Sequence, residues 1–395
     1  MVFVFRSGMS RQASQYLPAF FAFQILLLAI CGPSGAQELS IDTTNVSSAA
    51  LEYVRFSTDG KVMATTHFGN VVNVWTLPAA RVRTSIVAEH VQIDTMFFMS
   101  PLGDRIATES TDGAEVVFYE TVEGRKIGEV TLEGTQLRDV IFSKDGTILT
   151  VWTDGSTGTA IQLAGDFTEI RRFKLPLKIN YGASAGVVLN NAYQMRFDPS
   201  WGGLEIADLT SDAIVVNSKA VRITGAVDYQ DKVILADQTS NKIWRFDPAL
   251  GRLEEAATIP VKKDCYLYGL SSTGRYTTYG SGSNCKNDAD ELTIYDNVHH
   301  RVTGVFSGVT GGASFSGDDK AVALVRYGYG PTQCEVTLID PENGNVRARM
   351  PVRDPEQMQG GVALSPTANI AIFGSNEIKS IRIFDINQKK EITIY

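Results

Sequence analysis

Phe56-Ser57-Thr58-Asp59-Gly60 and Phe142-Ser143-Lys144-Asp145-Gly146 decide the fold, because the same signal, an apolar strand ending in Phe-Ser before an acid-glycine turn, returns along most of the chain. Looser copies are Phe98-Met99-Ser100-Pro101-Leu102-Gly103, Leu270-Ser271-Ser272-Thr273-Gly274, Phe315-Ser316-Gly317-Asp318-Asp319 and Leu364-Ser365-Pro366. The serines stand at 57, 100, 143, 271, 316 and 365. Their spacing is a step of about 43–49, with one gap about three steps long, so two degenerate copies are expected inside it. Val187-Val188-Leu189-Asn190-Asn191 and Ala226-Val227-Asp228-Tyr229-Gln230-Asp231 fill those places.

A second marker runs in parallel: an apolar strand closing on a large side chain and then, usually, an acid. Its copies are Trp75-Thr76, Tyr119-Glu120, Phe246-Asp247, Tyr295-Asp296, Ile339-Asp340 and Phe384-Asp385, with Ile206-Ala207-Asp208 weaker and Ile161-Gln162-Leu163 lacking the acid. Both markers give eight units of about 44 residues, which nearly exhaust the chain after position 36 and leave no room for a separate catalytic domain.

Each unit reads as four short strands. In the last, Gln359–Leu364, Ile370–Phe373, Ser380–Phe384 and Glu391–Tyr395 are separated by turn residues. Asp-Gly and Ser-Pro supply the backbone angles that tight turns need. Several inner strands are apolar on both faces, as in Val233-Ile234-Leu235-Ala236 and Ala321-Val322-Ala323-Leu324-Val325. Antiparallel strands usually alternate because one face is wet. Short hairpin-linked strands buried on both faces imply small sheets sandwiched between neighbours, and radial packing in a closed ring achieves this with few exposed edges. The expected fold is an all-β propeller of four-stranded antiparallel blades. Eight blades are expected, and seven if the weak unit at 177–216 is an insertion. A stacked solenoid would need capping ends, and none is visible. Leu39-Ser40-Ile41 is a candidate strand fastening the first blade to the last.

The flanking sequence reads as an address. Arg6 and Arg11 precede an apolar run from Leu17 to Cys31, followed by Gly32-Pro33-Ser34-Gly35-Ala36. A bilayer span takes roughly 20 apolar residues, more than this run provides. A charged start, apolar middle and small-residue exit predict a signal peptide over 1–36, cleaved after Ala36 to leave a single domain over 37–395 with no transmembrane span. Export to the periplasm or the medium follows. An uncleaved anchor is the alternative, and the Leu28-Ala29-Ile30-Cys31 stretch has Ile30 where a lipoprotein box takes a small residue. The 395 residues are 44% hydrophobic and 20% charged, with 36 basic and 44 acidic residues. Both arginines of the leader leave with it, so the remainder is more acidic still, and it has no global field attracting nucleic acid.

The strand-and-turn pattern resembles that of WD-repeat proteins and of exported bacterial propellers such as the YVTN-type and TolB-like groups, over essentially all of residues 38–395. The resemblance implies fold more than function. In WD repeats a His, a Ser or Thr, an Asp and a Trp form a hydrogen-bonded set within a blade. The second unit comes nearest, with His90, Ser110 and Asp112, and with Phe118 in the place of the Trp. The other units lack the His.

Candidate sites are few. With Cys31 removed, Cys265, Cys285 and Cys334 remain, an odd count that in an oxidising compartment implies one pair and one spare thiol. Cys265 opens the sixth unit and Cys285 lies in the loop between its second and third strands, at the same rim, so a Cys265–Cys285 disulfide is expected. The loops Ser281–Glu291 and Arg326–Gln333 should project side by side, placing Arg326, Tyr327 and Tyr329 beside Asp288, Asp290 and Glu291. Tyr and Arg often dominate interface energetics, which makes this rim the candidate binding surface; the alternative is a pair of solvated loops. Asp288, Asp290, Asn284 and Asn287 do not match an EF-hand. His299-His300 and the strip Arg171-Arg172 with Lys174 read as solvated surface, and Asp340–Gly344 as a turn. No phosphate loop, nucleophile elbow, zinc helix or haem-attachment motif occurs. The expectation is a non-enzymatic scaffold that binds a protein or cell-envelope component, with no metal and no cofactor. The alternative is an enzyme or enzyme subunit, similar to propeller lactonases or to the large subunit of quinoprotein amine dehydrogenases.

Overall fold

The computed structural model describes residues 51–67, 71–88, 97–110, 114–133, 136–143, 146–153, 158–177, 184–188, 192–198, 203–219, 221–261, 266–280, 291–327, 334–352, 362–367, 370–375, 378–388 and 390–394. These form eight four-stranded antiparallel sheets and, among the described residues, no helix. Each sheet is a meander of strands consecutive in the chain, spanning 51–87, 97–131, 136–174, 184–218, 223–258, 266–306, 309–352 and 363–394. We number them blades 1 to 8. The weak unit is a full blade, with strands Ser184–Val188, Tyr193–Asp198, Gly203–Asp208 and Ile214–Ser218.

First strands of neighbouring blades approach one another, which places them innermost. Apolar clusters then join each pair of neighbours: Val74 with Ile106, Phe118 with Ile148, Leu149 with Leu209, Met195 with Val233, Ile243 with Tyr295, and Ile294 with Val322. The largest cluster closes the ring. It combines Ala323, Leu338 and Met350 of blade 7, Leu364, Ile370 and Ile383 of blade 8, and Val54, Met63 and Trp75 of blade 1. Burial of each such side chain is worth about 1.5–3 kcal/mol, so among the described residues the junction of first and last blades is held by this apolar cluster, each blade contributing its own four strands. The fastening strand proposed at Leu39-Ser40-Ile41 lies outside the described residues.

The repeated serine has a specific task. Ser57 is fully buried; its N–H donates to the Val62 carbonyl at 2.8 Å, and its Oγ accepts the Val62 N–H at 2.9 Å and donates to Asp59 at 2.7 Å. Ser316 repeats this with Ala321 and Asp318, and Ser100, Ser271 and Ser365 each accept the N–H five residues on at 3.0 Å. A short hydroxyl is the group that fits the closed corner and satisfies a backbone donor that burial would otherwise orphan.

The recurrent acid, in the blades that carry it, works at the same end, where the third strand turns into the fourth. Glu120 accepts the N–H of Val122 and Glu123, Asp208 that of Thr210, Asp247 that of Ala249, Asp340 that of Glu342, and Asp385 that of Gln388. These are carboxylate-capped turns. Backbone donors hold the Glu120 and Asp208 carboxyls below the usual range, while Asp247 and Asp340 are held low first by the Lys232 and Arg347 side chains and then by their turn N–H groups. The turns also lock neighbours together: Gly103 (φ +69°) sits so close to blade 1 that a Cβ there would lie 2.7 Å from Val62 Cβ.

Register corrects one expectation. Trp75 stands opposite Met63, and its Nε1 donates to Thr65 Oγ1 at 2.9 Å. In blade 2 the residue opposite Ile106, the counterpart of Met63, is Tyr119 rather than Phe118. The longer connection between Glu109 and Glu115 shifts the third strand by one residue, so Phe118 faces blade 3 instead, against Phe167. The Trp-to-Thr half of the WD-repeat set therefore lies in blade 1. His90 and Asp112 lie outside the described residues.

Candidate binding surface

Arg326 ends up committed to its own blade. It lies on the second strand of blade 7 (Val322–Tyr327), donates Nη1 to Glu335 at 3.2 Å across the hairpin and Nε to the Ser307 carbonyl at 3.0 Å. Glu335 also takes Thr337 and Arg349. The Tyr327 backbone pairs with Cys334, while its side chain, Tyr329, Asp288, Asp290, Cys265 and Cys285 lie outside the described residues. The rim expected from sequence is thus represented by a guanidinium already neutralised by a carboxylate.

The turn end of the ring carries a different surface. Leu102 (76% exposed), Val122, Leu250 and Val298 (62%) stand in tight turns of blades 2, 5 and 6, and Tyr229 ends the first strand of blade 5 beside its turn. In blade 2 the two turns are tied together, since Thr121 Oγ1 donates to the Gly103 carbonyl at 2.7 Å, so Leu102 and Val122 belong to one patch.

Polar side chains at this end form latches between blades 6 and 7. Asp296 is fully buried and accepts from the Val298 and His299 N–H groups, from His299 Nδ1 at 2.9 Å and from Arg275 Nη2 at 3.0 Å. These partners outweigh burial and hold its carboxyl low. Arg275 reaches on to Glu342 of blade 7 and lies 4.8 Å over the ring of Tyr276, whose hydroxyl burial pushes up to about 12. His299 is exposed, as its turn position implied, and the acid three residues earlier in the same turn orients its ring. Asp319 of blade 7 accepts from Ser271, at 2.7 Å, and Thr273 of blade 6, yet burial still raises its pKa.

On the inner wall, Asp139 lies on the first strand of blade 3 (Gln136–Phe142). It is half-buried and accepts the Val140 N–H, with the Arg55 charge of blade 1 within electrostatic reach, and desolvation raises its pKa to about 6. Sequence reasoning passed over it, although the charged Arg138-Asp139 pair between Leu137 and Val140 was the available signal. The strip at 171–174 does read as a solvated edge: Arg172 pairs with Glu169 and Glu133, and Arg171 lies 4.3 Å over Phe173. Among the described residues, no group of three His, Cys, Asp or Glu side chains is placed to hold a metal.

No family model matches the sequence, and no curated protein is similar to it. Solved structures do resemble the fold. The dihydro-heme d1 dehydrogenase NirN, in complex with DHE, is 14% identical with a TM-score of 0.55 over 77% of this chain and 67% of its own. The C-terminal WD40 domain of Sif2 is 10% identical with a TM-score of 0.56, over 83% and 95%. The Cps50 (Swd1) propeller domain of Myceliophteria thermophila is 15% identical with a TM-score of 0.49, over 86% and 98%. The architecture they share with this chain is the β-propeller. At these identities the likeness carries the fold alone.

Proposed function

We propose that this protein is an exported, non-enzymatic propeller that binds a protein or envelope component through its turn end. The observation that carries the reading is the set of exposed apolar side chains, Leu102 and Val122 foremost, mounted on turns whose serines and carboxylates are already satisfied. Apolar groups on rigid supports favour association, because little conformational freedom is lost on binding. Export rests on the leader sequence, and the amino terminus of the protein recovered from its host should be Gln37. A benzophenone side chain at position 102 should give one discrete cross-linked protein in the host envelope, and Leu102→Asp with Val122→Asp should abolish its recovery without changing the melting temperature. Partners recovered equally by the double variant would overturn the reading.

A second reading, a propeller enzyme, is favoured by Asp139, since acids with a raised pKa cluster at functional sites, and NirN is a propeller named as a dehydrogenase. A visible chromophore or a stoichiometric metal in the purified protein would support that reading over the first.

A further inference from the structure

The exposed apolar side chains of the turn end spread further round the ring than Leu102 and Val122. The outer strands also expose Ile127 of blade 2, Ile170 of blade 3, Ile214 of blade 4, Val302 of blade 6 and Val346 of blade 7. Each is the first or second residue of its strand, next to the turn that follows the third strand. In all five blades the ladder breaks at that point: Ile127 and Ile170 are themselves skipped, and Ile214, Val302 and Val346 directly precede the skipped residue. A bulge bends an edge strand and re-aims the side chains at the break, so one backbone device recurs with an exposed apolar group at the same tier.

Blade 5 supplies Leu250 from the turn itself, and blade 6 adds Val298 to Val302, so six consecutive blades, 2 to 7, carry an exposed apolar group at this end. Blade 6 stands four steps from blade 2, on the opposite side of a ring of eight. Cations beside these groups are matched by carboxylates: Arg125 with Glu120 and Glu123, Lys126 with Glu129, Arg172 with Glu169 and Glu133, Arg252 with Glu254, and Arg347 with Asp340. A globular partner seats on a few adjacent blades. An apolar arc running from blade 2 to blade 7 at one height fits an extended flat surface instead.

We propose that the turn end docks on the surface of a lipid bilayer, with the apolar arc inserted shallowly at the boundary of headgroups and acyl chains. The ion pairs then stay in the polar layer, where charged groups remain hydrated. The proposal rests on the turn-end reading above and names its envelope component. Because the neighbouring cations are already matched, burial of apolar surface supplies the affinity rather than attraction to anionic lipid. Binding is therefore expected to persist at high salt.

The test is flotation of the exported protein, recovered from its host, with phosphatidylcholine vesicles in about 0.5 M salt, where charge attraction is screened. The unmodified protein should float with the vesicles. Leu102→Ser with Val122→Ser on one side of the ring, and Leu250→Ser with Val298→Ser on the other, should each weaken partitioning about tenfold. Val87→Ser should not, because Val87, although 65% exposed, closes the outer strand of blade 1 at the far end from the turns. Thermal melts check that each variant is folded, and the single substitutions stand in for a double variant that melts early. Flotation undiminished by both pairs, or weakened as much by Val87→Ser, would overturn the proposal. Loss confined to one pair would mark a local protein footprint and overturn it too. Absence of flotation would also overturn it, and the turn-end reading would then stand or fall separately, on capture of a protein by a benzophenone at position 102.

Discussion

Replacing Thr65 by Val keeps the side-chain volume and removes the acceptor that Trp75 Nε1 reaches at 2.9 Å. Both residues have no accessible surface, so water cannot take the place of the hydroxyl, and an orphaned buried donor costs about 1–3 kcal/mol. Thr150 holds the same register position in blade 3, but Leu163 stands opposite Ile148 where blade 1 has Trp75 opposite Met63. The Thr150 hydroxyl is buried with no hydrogen-bond partner among the described residues. Thr150→Val therefore removes a desolvated group that gains nothing in return, and should be neutral or stabilising by up to about 1 kcal/mol. Equilibrium urea unfolding, followed by tryptophan fluorescence, would register the difference as midpoints moving in opposite directions at an unchanged m-value. A double-mutant cycle of Thr65→Val with Trp75→Phe isolates the pair, with an expected coupling of about 1 kcal/mol. Equal costs for the two valine substitutions, or no coupling in the cycle, would refute the reasoning.

Asp296→Ala should destabilise by about 2–4 kcal/mol, because it strips two turn N–H groups, His299 and Arg275 of a shared acceptor, whereas Asp296→Asn, which keeps a carbonyl for the turn, should cost clearly less in the same urea assay. Acid should weaken the ring through its turn caps: a lowered carboxyl pKa means stability present above the unfolded value and lost as pH falls through the folded one, which for Asp59 runs from 3.8 to about 2. Urea midpoints should therefore drop between pH 4 and pH 2. Asp139 has the opposite sign. Its raised pKa makes the folded state most favourable when the acid is protonated, and that contribution disappears as pH rises from 3.8 through about 6. Asp139→Asn should accordingly gain stability above pH 6, by about 3 kcal/mol at most, and gain nothing below pH 4.

The architecture was legible because two residue types are forced by local physics at fixed places in most blades. A buried corner needs a short hydroxyl, which keeps Ser57, Ser100, Ser271, Ser316 and Ser365, and a tight turn needs an acceptor, which keeps Glu120, Asp208, Asp247, Asp296, Asp340 and Asp385. Neither task depends on the side chains around it, so the markers persist where the apolar residues vary. Register was less legible. The strand-plus-acid marker pairs Trp75 with Tyr119, as the register does, whereas the WD-repeat comparison puts Phe118 in the place of the Trp because it does not count the longer hairpin connection. Site residues were the least legible. Arg326 looked available because its partner Glu335 becomes a neighbour only across the hairpin. The exposure of His299 was legible but its bond to Asp296 in the same turn was not, and Asp139 follows Arg138 in a strand whose sequence does not say which wall carries it. The apolar turn tips have no sequence signature, since an exposed Leu102 and a buried Leu132 look alike in one dimension.

Closure of the ring is the central claim, and proximity of blade 8 to blade 1 tests it most directly. The turn of blade 8 at Pro366-Thr367 sits beside Gly60 of blade 1, where a Cβ would lie 3.1 Å from Thr367 Oγ1. A benzophenone amino acid placed at position 367 should, on irradiation of the dilute monomer, attach within residues 57–62 of the same molecule, as mapped by mass spectrometry. Attachment confined to blades 7 and 8, or only to other molecules, would contradict a closed eight-bladed ring.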